Sequence, residues 1–208
     1  MADTFYLAAE SDADGFGLSQ FISLLGIEPV TGGTFRPDPG APLSHAWEVW
    51  QKTLFLPVFA PAFIKAFGAA TSQRIEEVVA CDRSLHQRLS GNLREWSTNS
   101  GRPFLEGKDE MRGHREWARY AEQVNLGDSP GHLCILFAVQ SALYHLALPA
   151  ALTAYASYEF RSQDATFPFP DMSEEENEAF STVLPRIPLA VRSNANEDDG
   201  EDGILHVI

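Results

Sequence analysis

Residues 132–148 read HLCILFAVQSALYHLAL, and the fold turns on whether this run crosses a membrane or fills a core. The run is shorter than the roughly 20 apolar residues a helix needs to span a bilayer. It also carries Gln140, Ser141 and His145. It reads as a helix buried on most sides within a bundle. Pro149 then stands at the first-turn position of a second helix, where its missing N–H costs nothing. Ala151, Leu152, Tyr155 and Tyr158 give that helix its apolar face. These two neighbours form the expected central pair.

The same helical period extends to either side. From Ser44, Trp47, Trp50 and Leu54 recur at offsets of three and seven, a single buried stripe. Pro57 is expected to interrupt it, and Pro61 to open a helix carrying Phe63, Ile64 and Phe67 that Gly68 closes. A helix over about 72–89 follows, with Ile75, Val78, Val79, Leu85 and Leu89 on one side. Ser90-Gly91 is a weak point. The stretch LREWSTNSGRPFL, 93–105, begins helically through Leu93 and Trp96. Gly101 is expected to stop it, Pro103 to prevent its continuation, and Ser97 to bond back to its own helix.

Met111, Trp117 and Tyr120 are candidates for packing amid dense charge, and Gly127–Gly131 is a loop. ATFPFP, 165–170, must be extended because its prolines forbid helix. Ser173 and Glu176 form a capping box that opens a final helix to about Leu184. No β-branched run alternates with polar residues over a strand's length. The predicted class is all-α, a single helical-bundle domain of six to nine helices over 44–190. Residues 1–43 precede it as an irregular segment with a short helix near 18–26. An acidic tail, 191–208, follows; it is expected to be mobile, with an apolar tip.

The charge excludes several functions. With 29 acidic residues against 15 Lys and Arg, the net charge is −14, unsuited to tracking nucleic acid or adhering to anionic lipid. The two cysteines, Cys81 and Cys134, read as buried thiols of a reducing compartment. The N-terminus lacks a basic and an apolar signal region, so the expected location is cytoplasmic. The six histidines make no HExxH, and GxSxG, GxGxxG and the P-loop are absent. No catalytic residue, metal or cofactor is assigned.

One ordered series of residues resembles a known family. Asp82, Leu85, Arg94, Ser97, Gly101, Arg102 and Leu105 occur in CDRSLHQRLSGNLREWSTNSGRPFL. This is similar to the pattern of the urease accessory proteins of the F type (UreF). AWEVWQKTLFLPVFAPAFIKAFGAA upstream looks like the helix pair preceding that motif. GHLCILFAVQSALYHLALPAALTAYASYEF downstream resembles the family's glycine-histidine, small-residue helix, Leu-Pro and Ala-Tyr helix. The likeness covers roughly 45–190. FISLLGIE places Phe21, Gly26, Ile27 and Glu28 as in the family's N-terminal signature, but its Leu-Pro-x-Gly is missing.

The resemblance implies an all-α, homodimeric adaptor without a catalytic centre. It would assemble with a second accessory protein (UreD, also called UreH) and the nickel-carrying GTPase UreG, and so deliver nickel to apo-urease. It points to Glu28, Arg94, Ser97, Gly101, Arg102 and Tyr155 as partner-binding residues. Arg94 and Arg102 would pair with carboxylates or carbonyls, and Gly101 would let another backbone approach. Whether the arginines bind a partner or lock two helices of one chain stays open at this level. Two other classes stand beside it: a helical chaperone for redox-enzyme maturation, and a small helical enzyme holding a metal or haem at a buried histidine such as His145.

Overall fold

A computed structural model of the chain describes residues 33–38, 40–106, 111, 113–162 and 173–192. Every regular element among them is helical, as the absence of strand alternation predicts. Helix α1 spans Leu43–Trp50, α2 Ala60–Thr71, α3 Ile75–Arg88, α4 Gly91–Glu106, α5 Arg115–Asn125, α6 Leu133–Leu143, α7 Leu148–Arg161 and α8 Glu174–Ser181. A last helical segment covers 186–192, beyond the single final helix expected to end near Leu184. The short helix predicted near 18–26, the extended 165–170 run and the tail after 192 lie outside the described residues.

Three expected breaks do not occur. Pro57 does not interrupt the first helix: Gln51–Phe59 is a π-helical stretch joining α1 to α2. The wider π register lets the backbone pass a proline, with Ala60 N–H donating to the Phe55 carbonyl five residues back. Four residues beyond Pro57 stands Pro61, which has no N–H to offer the Pro57 carbonyl. Arg88 of α3 donates to that carbonyl instead. Gly68 does not close the segment either, since α2 runs on to Thr71. Leu43–Thr71 thus becomes 29 continuous residues, long and apolar enough to cross a membrane. Its face of Trp47, Trp50, Phe55, Phe59, Phe63 and Ala66 is instead buried in the bundle.

The third unbroken point is Gly101-Arg102-Pro103, through which α4 continues to Glu106. An interior proline costs about 3 kcal/mol. Continuing the helix carries Phe104 into the core, 3% exposed, between Trp117 and Phe137 at centroid distances of 6.3 and 6.0 Å. Burying such a ring contributes about 2–3 kcal/mol, which offsets most of the proline's cost.

The core forms around the pair predicted from 132–161. Leu133 to Ala142 of α6 are all buried, as are Ala151 to Arg161 of α7. Helix α2 packs along α6, and α3, α4 and α7 close around the two. Met111, Trp117 and Tyr120 join this core. Ser173 and Glu176 make the predicted capping box in full, and α8 lies against α1.

A strap ahead of α1 belongs to the same core. Phe35 stacks on Phe160 at 5.7 Å and meets Trp47 edge-on at 4.9 Å. Beside it the buried Glu159 carboxylate accepts from Thr34 N–H at 2.6 Å, Thr34 Oγ1 at 3.0 Å, Phe35 N–H at 3.3 Å and Tyr155 O–H at 2.7 Å. Burial pushes the Glu159 carboxyl above the usual range, and these hydrogen bonds oppose that shift. One carboxylate therefore ties Thr34 and Phe35, ahead of α1, to α7.

Candidate partner-docking cleft

Four elements meet where α4 crosses the N-terminus of α6: the end of α3, α4, the end of α5, and the loop before α6. The loop is held by Asp82 on α3, which is fully buried. Its Oδ2 accepts from Tyr120 O–H at 2.8 Å, Ser129 O–H at 2.6 Å and Gly131 N–H at 2.7 Å; its Oδ1 accepts from His132 N–H at 3.2 Å. A carboxylate taken out of water needs such donors on its lone pairs. Burial, reinforced by the Asp82 charge, holds the Tyr120 hydroxyl far above its ordinary range, so it remains a donor.

Gly131 takes a left-handed φ of +77°, which turns the chain into α6 and is strained for any L side chain. The loop then lies directly on α4. A Cβ at Gly101 would stand 2.1 Å from the Gly131 carbonyl oxygen and 3.1 Å from Leu133 N. Gly101 thus admits a close backbone, as expected, and that backbone belongs to its own chain. It does not act as a helix stop.

Behind the loop, His132 is fully buried, and its Nε2 lies 3.0 Å from His86 Nδ1. Burial lowers the His132 pKa to about 4; the Asp82 charge opposes this, while His86 and Arg94 add to it. His132 is therefore neutral at pH 7, and one of the two rings donates to the other.

These pieces wall a cleft of about 400 Å³. His86 lies at its α3 side, and Pro130 and Gly131 belong to the loop wall. Leu105, Val124 and Leu136 supply apolar surface, while Thr98, Asn99, Asn125, Arg102 and Glu106 supply the polar groups. Pro103 has no N–H, so the Asn99 carbonyl lacks its i+4 helical donor at this edge.

The residues expected to bind partners separate into distinct environments. Arg94 is an internal clamp: its Nε donates to the His86 carbonyl at 2.6 Å and its Nη2 to the Gln87 carbonyl at 3.4 Å. It caps the last turn of α3, where the helix dipole favours a cation. Ser97 is 1% exposed, and its Oγ has no partner among the described residues, so the expected bond back to its own helix is not made. Tyr155 is fully buried and holds Glu159, which takes it off the chain's own surface. Glu28 lies outside the described residues. Among the five of the six that are described, Arg102 alone is both exposed and on the cleft, with no hydrogen bond or ion pair among the described residues.

His145 is not the buried histidine the metal or haem reading needs. It is exposed and sits in a left-handed turn between α6 and α7, with φ +55°. Among the described residues no group of three or more His, Cys, Asp and Glu side chains could hold a metal. Reading the sequence alone missed His86, Asn99 and Asn125 as cleft residues, and Glu159 as the anchor of the strap. The Asp82 to Leu105 series was their nearest signal, because it already joined α3 to α4.

The described residues form a helical bundle with a polar-rimmed cleft between α3, α4, α5 and the loop before α6. The UreF family model matches residues 45–163, more than half of the chain. The chain belongs to the UreF family, which serves urease as accessory proteins rather than as enzymes. No curated protein matches it.

Proposed function

We propose that this protein is a cytoplasmic adaptor in urease maturation. It docks a UreD/UreH-like accessory protein and a UreG-like nickel-carrying GTPase, so that nickel reaches apo-urease. It works as a homodimer, joined through apolar helix surface because two chains of −14 repel one another elsewhere. The observation that carries the reading is the placement of Arg102. Within a stretch matching the UreF model, it is exposed on α4 at a cleft edge without an ionic partner among the described residues. A guanidinium held this way suits bidentate pairing with a carboxylate of a docked protein.

The test is co-purification of the native chain and Arg102→Ala with the UreD/UreH-like protein, alongside thermal melts of both. The expected result is unchanged melting with capture weakened about thirtyfold, the loss of one buried interface contact worth about 2 kcal/mol. Equal capture by both proteins would remove Arg102 from the interface. Failure of the native chain to capture any urease accessory protein would remove the adaptor role itself.

A further inference from the structure

Leu43–Thr71 is apolar on more than its buried side. Only 39% of its most apolar window lies inside the bundle, so core packing does not account for the composition. Residues 49–75 contain no Asp or Glu, in a chain with 29 acids. Pro57, Pro61, Ile64 and Gly68 recur at helical spacing and are exposed or half-buried, at positions where a surface helix ordinarily carries charge. Helix α3 packs beside α2 and helps to edge this face with cations. Exposed Arg88 reaches the Pro57 carbonyl. Exposed Lys65 stands two turns further along, close enough to α3 for its charge to act on Cys81. Neither cation has an ionic partner among the described residues, whereas the acids that flank the stretch are already met: Glu48 by Lys52, Glu76 by Arg119 and Glu77 by Arg74.

We infer that this face docks an amphipathic helix of a partner protein, with its apolar residues on Pro61 and Ile64 and one acid each on Arg88 and Lys65. Two helices packed side by side leave a groove that a third can enter. From Pro57, where Arg88 is held, to Lys65 is about 12 Å along the helix, and residues seven apart on a partner helix stand about 10.5 Å apart. The matching segment therefore carries acids at i and i+7, with apolar residues at i+3 and i+4 between them. A second copy of this chain fits less well, because a two-fold contact centred here sets Lys65 and Arg88 against the same cations. The net charge of −14 disfavours an anionic bilayer.

The probe is a hydrocarbon-stapled helical peptide of about 18 residues with that pattern, fluorescein-labelled and titrated with the full chain by anisotropy. No urease component is present, so this surface stands or falls separately from the adaptor role. The expected dissociation constant is about 10–50 μM. Replacing both peptide acids with Lys should weaken binding about tenfold or more. Lys65→Glu, at an exposed position that leaves the fold intact, should weaken the acidic peptide about fivefold and strengthen a peptide carrying Lys opposite it. That exchange of preference is not produced by a general loss of structure. Ile64→Asp should remove detectable binding while the thermal melt stays cooperative.

No binding below about 1 mM, equal binding of acidic and basic peptides, or binding indifferent to Lys65→Glu would overturn the inference. So would sedimentation in which Ile64→Asp turns a dimer into a monomer, which assigns the face to a second copy. Flotation of the native chain with phosphatidylcholine vesicles, lost in Ile64→Asp, would likewise overturn it by assigning the face to lipid.

Discussion

Asp82→Ala is the perturbation whose cost follows most directly from the structure. The substitution removes the acceptor of four donors at once: Tyr120 O–H, Ser129 O–H, Gly131 N–H and His132 N–H. Tyr120 and His132 are fully buried and Ser129 is 2% exposed, so water does not replace the carboxylate without opening the loop. Each orphaned donor costs about 1–3 kcal/mol. The four share one acceptor and are not additive, and a loop that loosens recovers part of the loss, so the net expectation is about 4 kcal/mol. For a chain of this length that corresponds to a fall in Tm of about 10 °C. Asp82→Asn should rescue little, because an amide NH2 would face donors on one side. Circular-dichroism melts and urea unfolding give the magnitude. Amide exchange at 129–132 locates it, and these amides should open well before those of 133–142. A melt of Asp82→Ala within about 3 °C of the native protein would show that the carboxylate is not what holds the loop, and the cleft would lose its proposed foundation.

Three further outcomes follow from neighbouring contacts. Arg94→Ala should lower stability by about 1–2 kcal/mol, since it uncaps the last carbonyls of α3; urea unfolding beside Arg102→Ala, which should stay near native, separates clamp from free cation. Gly101→Ala should cost about 3 kcal/mol, because its Cβ would meet backbone 2.1 Å away that cannot swing aside as a side chain would; thermal melts check it. His132 has a folded pKa of about 4 against 6.5, so the folded state binds fewer protons. Its contribution is present above pH 6.5 and is lost as pH falls toward 4, by about 3 kcal/mol; urea unfolding across that range should show the slope, and His132→Asn should flatten it.

Much of the architecture was legible because helical periodicity reports burial directly. The 132–161 pair, the stripe of α3, and the packing of Trp117 and Tyr120 all follow from apolar residues at three and four spacing. The misread points share one cause. Pro57, Gly68 and the Gly101-Arg102-Pro103 run are local break signals, and local signals lose when continuing the helix carries apolar side chains into the core: Phe59 and Phe63 after Pro57, Ala69 and Ala70 after Gly68, Phe104 after Pro103. At Pro57 the backbone adopts a π register, and Arg88, 31 residues away, supplies the missing donor. Nothing within a turn of Pro57 announces that arrangement. Glu159 was illegible for a related reason: three of its four hydrogen-bond donors come from Thr34 and Phe35, more than a hundred residues earlier.

The motif itself shows how far a sequence pattern constrains a site. Asp82, Arg94, Gly101 and Arg102 stood in one ordered series that suggested one shared purpose. Three of the four turn inward. Asp82 fixes the loop, Arg94 fixes the end of the helix that carries Asp82, and Gly101 lets that loop lie against α4. Each removes freedom from the segment holding Arg102, so their tertiary contacts set the position of a guanidinium they do not touch. A docking arginine on a mobile loop would spend part of its binding energy on becoming ordered. Here a rigid α4, pressed against the 131–133 backbone at Gly101, has already met that requirement. On the proposed reading, architecture and recognition are successive steps in one design: the inward residues pre-organise, and Arg102 is the residue left to meet a carboxylate of the partner.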